Sequence, residues 1–319
     1  MKSGKVAVVI LLVMVMASAL AACGRQAAVT TPLNIGLLPV EDSLPFYVAA
    51  DKGYFQQQGV TVNLQTYRSA VERDAALQAG AIDGYMGDII AAAQLAQSGL
   101  DVKIISVVLG ATPAQGRVAI LSSPKSNITT VSQLKGVPIA ISRNSLMDYV
   151  VDRLLRSQGF GTQDIATTLI AAIPERLQAL MSGQVQAAAL PDPVATLAQR
   201  QGAHLVIDDT HGENLSQTIV LMRADAIANK KEAIVRMLRA YNQAVQDINR
   251  DPNAYRSLLV DKGALPAELA NSYQVEQYPL AAPPTPDMVN PVLEWMRGRG
   301  LIGSSITYDM LVDTEFATK

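Results

Sequence analysis

Two α/β lobes joined by two chain crossings are the architecture that this 319-residue sequence predicts. Three observations predict it. Short apolar runs alternate with helix patterns from Leu33 to Gly99, which favours a largely parallel sheet with helices packed on it. The alternation breaks at a stretch bearing Gly and Pro, Gly110 to Gly116, and resumes at Val118. Beyond Thr218 the chain adds one more strand and then turns mainly helical. The crossings are expected near Gly110 to Arg117 and near Thr210 to Thr218, which puts residues 33–117 and 216–319 in one lobe and 118–215 in the other.

Each element has its own signal. Leu33 to Leu38 and Val60 to Tyr67 read as strands, the second with the alternation of a half-buried strand. Between them Pro45 opens a helix that Gly53 closes. Ser69 and Glu72 have the spacing of a capping box for a helix ending at Gly80. Ile82 to Met86 follows as a strand, Asp88 heads an Ala-rich helix, and Val102 to Leu109 is the next strand. The second unit offers strands Val118 to Leu121, Val137 to Ser142, Thr168 to Ile173, Val185 to Leu190 and Leu205 to Ile207. Helices are expected at Ser145 to Ser157, Pro174 to Ser182 and Asp192 to Gln201. Ile219 to Met222 is the returning strand, followed by helices Asn229 to Asn249, one from Pro252, and Met288 to Arg297.

The N-terminus specifies an address. Lys2 and Lys5 lead into the apolar run Val6 to Ala17, which ends in Leu20-Ala21-Ala22-Cys23 and the only cysteine of the chain. A basic start, a short apolar run and small residues before a cut site make a secretory leader. The run is short for a bilayer span, which needs about 20 apolar residues. Residues 1–22 are therefore expected to be a lipoprotein signal peptide, Cys23 the lipidated new N-terminus, and 23–32 a tether. The mature protein is expected on the extracytoplasmic face of the cell membrane, held there by its lipid.

Composition excludes several classes. At 49% apolar and 17% charged residues the body can bury a large core. A net charge of -2 gives no reason to expect nucleic acid. With Cys23 spent on lipid, no disulfide framework or cysteine-based metal site is expected. No metal, no cofactor and a monomer are expected.

Several segments in series then resemble a known family. Phe46-Tyr47-Val48-Ala49-Ala50-Asp51-Lys52-Gly53-Tyr54-Phe55 with Gly59-Val60 is similar to the opening motif of the NMT1/THI5-like substrate-binding proteins. Ala79 to Gly84 with Gly87-Asp88, Leu134 to Ala140, and Ser182 to Ala188 resemble later motifs of that family, in the same order. The resemblance implies a type II periplasmic-binding-protein fold, whose lobes close on one small molecule and hand it to an ABC permease and its ATPase. Related proteins carry sulfonates, nitrate, thiamine pyrimidine precursors or flavins.

The cleft-facing loops are expected to choose the ligand. Their charged residues are mainly acidic: Glu41, Asp42, Asp88, Asp148, Asp192 and Glu213 against Arg117 and Arg143. An oxoanion would want cations and free helix N-termini instead. The same loops bring Phe46, Tyr47, Tyr85 and Tyr149, rings that could stack on a planar heterocycle. With Asn144, Ser145, Asp88, Asp148 and Asp192 as hydrogen-bonding groups, riboflavin is the first expected ligand and a thiamine-type aminopyrimidine the second. An alkanesulfonate or nitrate carrier is the alternative. Capping competes for three of these residues: Asp148 stands three after Ser145, Asp88 heads a helix, and Asp192 lies between Pro191 and Pro193. Trp295, spaced with Val292 and Met296, reads as core. A pyrimidine-synthase-like enzyme of the same superfamily would need a cysteine-rich motif and an active-site histidine. Here His204 and His211 fall at a strand start and in a crossing, so no catalytic residue is expected.

Overall fold

A computed structural model of the chain describes residues 31–316. The leader, Cys23 and most of the tether lie outside those residues. In chain order the strands are β1 (Leu33–Leu37), β2 (Val62–Thr66), β3 (Gly84–Asp88), β4 (Val102–Leu109), β5 (Val118–Ser122), β6 (Pro138–Ile141), β7 (Ala166–Leu169), β8 (Ala187–Pro191), β9 (His204–Asp208) and β10 (Thr218–Arg223). The helices are α1 (Leu44–Asp51), α2 (Tyr54–Gln57), α3 (Ala70–Gln78), α4 (Ile89–Gln97), α5 (Leu146–Ser157), α6 (Ile173–Ser182), α7 (Val194–Arg200), α8 (Ala224–Arg250), α9 (Arg256–Asp261), α10 (Pro286–Gly298) and α11 (Tyr308–Leu311), with short 3-10 turns between some of them.

Two five-stranded sheets result, ordered β2-β1-β3-β10-β4 and β7-β6-β8-β5-β9. Each is parallel except for one strand. β10 runs antiparallel to β3 and β4, and β5 runs antiparallel to β8 and β9. The reason is the path of the chain. β5 and β10 are the strands that enter a sheet from the other one, so each starts at the end where its parallel neighbours finish. Thr218 accordingly pairs with Leu109, and Val118 with Pro191.

The two passages between sheets lie side by side. Leu109 N donates to Thr218 Oγ1 at 3.1 Å, and Asn214 Nδ2 donates to Gly110 O at 2.7 Å. Gly110 sits at φ +80°, and a Cβ there would stand 2.8 Å from Gln217 Cα. A side chain would meet both a backbone clash and a left-handed φ, so glycine is required.

Local signals explain the helix starts. Ser69 Oγ accepts from Glu72 N, but Glu72 returns its carboxylate to Arg68 N and not to Ser69, so only half of the expected capping box forms. Asp88 Oδ1 accepts from Ala91 N at 2.8 Å, which caps α4. Replacing Asp88 by alanine is expected to lower unfolding free energy by about 1 kcal/mol, the ordinary worth of such a cap; chemical denaturation of both proteins measures it. α8 is broken at Lys230 (φ -131°, ψ 22°), where the lysine reaches Asp83 at 2.8 Å and Pro32 O at 2.9 Å. The long amphipathic run expected from Asn229 is thus preceded by a separate helical turn.

One apolar cluster runs through both sheets, taking in Ile89 and Ile104 beside Ile139, Tyr149 and Leu155, with Trp295 packed against it. A second fills the other face of the first sheet, between α1 and α8. Among the described residues no helix is long and apolar enough to cross a membrane.

Candidate functional site

Strand ends from both sheets converge on one cavity of about 50 Å3. The first sheet contributes Glu41 and Asp42 from the turn after β1, Leu109 from the end of β4, and Ser216 and Thr218 from the start of β10. The second contributes Arg117 and Val118 at the start of β5, Leu146 and Met147 at the start of α5, and Pro191 and Asp192 at the end of β8. Tyr273 and Glu276 arrive from an irregular segment between α9 and α10. Such a place, at the carboxyl ends of parallel strands, is where α/β folds bind ligands. A larger hollow of about 560 Å3, lined by Ser123, Asn127 and Gln186 among others, sits at the opposite end of β5. Lys125, on its rim, donates to Ser182 O at 3.0 Å.

The cavity is built around carboxyl groups. Glu41 is 2% exposed. The Tyr273 hydroxyl donates to its Oε2, Glu276 N to its Oε1 at 2.7 Å, and the Tyr278 hydroxyl to its backbone oxygen at 2.8 Å. Burial, against these bonds, pushes the Glu41 carboxyl up to about 8. Burial first, then Asp192 and Asp42, pushes Glu276 up to about 7, and burial raises Asp42 as well. Arg117 is the one cationic side chain among the described residues lining the cavity. All of its nitrogens are engaged: Nε donates to Asp208 at 2.9 Å, Nη1 faces Asp192 at 3.4 Å and Thr196, and Nη2 donates to Gln199 at 2.9 Å.

The residues singled out in the sequence are spread more widely. Asp192 lines the cavity, and its Oδ1 also accepts from Thr196 N at 2.9 Å, near the start of α7. The Phe46 ring is fully buried against Tyr241, centroids 5.3 Å apart. Tyr47 is 3% exposed, beneath the Lys262 ammonium. Tyr85 is fully buried with the Arg73 guanidinium 3.9 Å from its ring centre, and Tyr149 packs edge-on to Trp295 in the core. None of these four rings lines the cavity. Their strand and helix faces point into the apolar layers, so the expected stacking platform is not assembled in this form.

The polar expectations divide similarly. Asp88 caps α4. Asp148 accepts from Asn144 N at 2.9 Å and pairs with Arg299 at 2.9 Å, rather than closing a box with Ser145. Ser145 donates to Ser142 O, and Asn144, at φ 53°, is exposed while its backbone oxygen accepts from Gln94 of α4. Ser145 is followed directly by the two α5 residues that do line the cavity. Glu213 pairs with Arg153 at the surface. Glu41, Asp42 and Arg117 were legible as charges of cleft-facing loops. Tyr273, Glu276 and Thr218 were not, although the tyrosine- and proline-rich run from Tyr273 to Pro286 argues against a helix there.

Comparison with known proteins bears on the family and the fold. A profile of the NMT1/THI5 like family matches residues 41–255. The chain is 31% identical over 214 residues to the "Putative aliphatic sulfonates-binding protein" of Escherichia coli (strain K12), covering 66% of this chain and 64% of that one. The structure superposes with a TM-score of 0.77 on the alkanesulfonate-binding protein SsuA from Xanthomonas axonopodis pv. citri bound to MOPS, at 21% identity over 90% of this chain and 99% of that one. It matches the periplasmic aliphatic sulphonate binding protein SsuA from Escherichia coli with a TM-score of 0.72, at 20% identity over 88% and 97%. The fold is that of the periplasmic binding proteins, as the sequence resemblance implied.

Proposed function

Because the chain belongs to the NMT1/THI5-like family, we propose that it is the solute-binding component of an ABC importer. It captures a small molecule between two lobes, residues 33–117 with 216–319 and residues 118–215, and presents it to a permease. Lipid on Cys23 would tether it to the outer face of the membrane. The observation that carries this reading is the cavity walled by β4 and β10 from one sheet and by β5 and β8 from the other. A ligand bridging those walls is bound best when they approach, so it shifts the molecule toward a closed state. The motion would be taken up in the paired passages at 110–117 and 209–217.

Riboflavin loses its main support in this form, because its expected stacking rings lie in the core and the cavity is small against the roughly 300–1,000 Å3 typical of larger ligands. The sulfonate-binding relatives support the alternative, an alkanesulfonate-type solute, better than a vitamin, and the start of α5, which lines the cavity and has no side-chain cap, is compatible with it.

The test is a thermal-shift screen of the mature protein with riboflavin, thiamine, aminopyrimidines, alkanesulfonates, nitrate and small amines. A ligand at 100 times its Kd stabilises the folded state by about 2.7 kcal/mol, and small-angle scattering should show compaction. Turnover of a vitamin precursor, or stabilisation without compaction, would argue against a closing carrier.

A further inference from the structure

We propose that the solute held in this cleft carries a positive charge, an ammonium or amidinium group seated on Glu41, Asp42 and Glu276. The inference rests on the solute-binding reading above and names the class of solute. Four carboxyl side chains line the cavity, Glu41, Asp42, Asp192 and Glu276, against the single guanidinium of Arg117. Arg117 is paired with both Asp192 and Asp208, so its charge is already balanced by two carboxylates before any solute enters. Among the described residues, Glu41, Asp42 and Glu276 form no ion pair with any lysine, arginine or histidine. The helix starts near the cavity already hold carboxylates: Asp192 accepts from Thr196 N at the start of α7, and α5, whose uncapped start lines the cavity, carries Asp148 in its first turn.

An independent observation points the same way. Asp209, 2% exposed, has one oxygen on Val118 N at 2.7 Å and the other, Oδ2, without a hydrogen-bond partner. It sits between Val118 and Ser216, both of which line the cavity; the Ser216 hydroxyl acts on it without meeting hydrogen-bond geometry. An unsatisfied buried acceptor is costly, and a donor-bearing cation beside Val118 and Ser216 would meet that demand.

Charge accounting gives the proposal its signature. A carboxylate buried without a counter-charge takes up a proton instead. Glu41 is pushed up to about 8, Glu276 to about 7 and Asp209 to about 6, all mainly by burial. The groups facing this cluster are Tyr273 and Tyr278 from the irregular segment, Asp192 from the second sheet, Thr218 from β10 and Tyr241 from α8, with Arg117 on the same cavity wall. A cation entering the cleft replaces the bound protons, so binding should release protons and tighten as pH rises from 6 to 8. The cavity of about 50 Å3 admits a cationic head of a few heavy atoms, since a single water needs about 10–15 Å3 by the same measure.

The experiment uses the mature protein and a library built on matched frames: ethanolamine, taurine and ethanesulfonate on two carbons, with choline, putrescine, acetamidine, nitrate and riboflavin. Thermal shift and calorimetry are read at pH 6 and pH 8. The expected result is binding by ammonium- or amidinium-bearing members and silence from ethanesulfonate and nitrate. Affinity should rise at least tenfold between the two pH values, with heats that depend on buffer ionisation. The double variant Asp42→Asn, Glu276→Gln should bind at least tenfold more weakly while unfolding no earlier than the parent without ligand. Taurine binding while ethanesulfonate does not supports the proposal. Binding of ethanesulfonate or nitrate without the cations overturns it and leaves the solute-binding reading standing. Silence across the whole library overturns that reading, and this inference with it.

Discussion

Raising the pH of the ligand-free protein from 5 to 8 lowers its unfolding free energy, and Glu41→Gln removes much of that slope. Glu41 has an ordinary carboxyl value of 4.5 and a folded value of about 8, set chiefly by burial. Between those values the folded state keeps a proton that the unfolded chain has released. Stability therefore falls as pH rises, by at most about 1.4 kcal/mol per pH unit for each such proton. The contribution is complete below pH 4.5 and gone above about pH 8. The bonds from Tyr273 and Glu276 N favour the charged carboxylate, so they limit the shift without reversing it. Glu276, pushed up to about 7, adds to the slope in the same window. Asp208 acts oppositely, because Thr210 and Arg117 outweigh burial and hold it below its ordinary value. Its effect is confined to acid pH, below that window. A glutamine at 41 keeps the neutral shape, with an amide oxygen for Glu276 N–H and an amide N–H for the Tyr273 hydroxyl. Denaturant midpoints for both proteins at pH 5, 6, 7 and 8 decide the matter; parallel slopes would mean that Glu41 ionises normally in the fold.

That prediction turns on a residue whose importance was only half visible in the sequence. Periodicity carried the fold well: Val102 to Leu109 was bounded as observed, and Val60 to Tyr67 differs from the observed Val62–Thr66 only at its ends. The reversed direction of β5 and β10 was not visible, because apolar alternation has no polarity and only the crossing path sets it. At the site, position along the chain was a better guide than side-chain direction. Tyr85 lies three residues before the strand end at Asp88, yet the pleat turns its ring onto Arg73 and away from the cleft. Phe46 follows the loop after β1 closely, yet its helix face packs on Tyr241. Glu41 and Asp42 were legible as loop charges, but their clasp was not. Tyr273 and Glu276 stand more than 230 residues away and return through a segment without periodicity. The sequence suggested helices for most of the chain past Asn229, which hid the stretch that completes the cavity wall.

Replacing Trp295 by alanine should cost about 3 kcal/mol of stability, because the residue joins the two halves of the molecule. It lies on α10, which packs against α4 on the first sheet, yet its contacts reach α5 on the second. Its ring meets Tyr149 edge-on, centroids 5.3 Å apart at 75°. Its Nε1–H donates to Asp152 Oδ2 at 3.0 Å. Arg299, just past the end of α10, lays its guanidinium 4.6 Å from the indole ring centre and pairs with Asp148 at 2.9 Å and Asp152 at 3.6 Å. Alanine would open a void beside Tyr149, remove one donor from a carboxylate that is 5% exposed, and free Arg299 from its stacking surface. Loss of a large aromatic side chain from a core costs about 3–5 kcal/mol, and the partial exposure of this ring places it at the lower end. Trp295→Phe keeps the ring contact and forfeits the hydrogen bond, so a loss of about 1 kcal/mol is expected. Asp152 stays paired with Arg156 at 2.9 Å in both variants, which keeps the buried charge from being stranded. Denaturant unfolding of the three proteins orders them. If alanine and phenylalanine prove equally mild, the halves are held by the continuous apolar cluster alone.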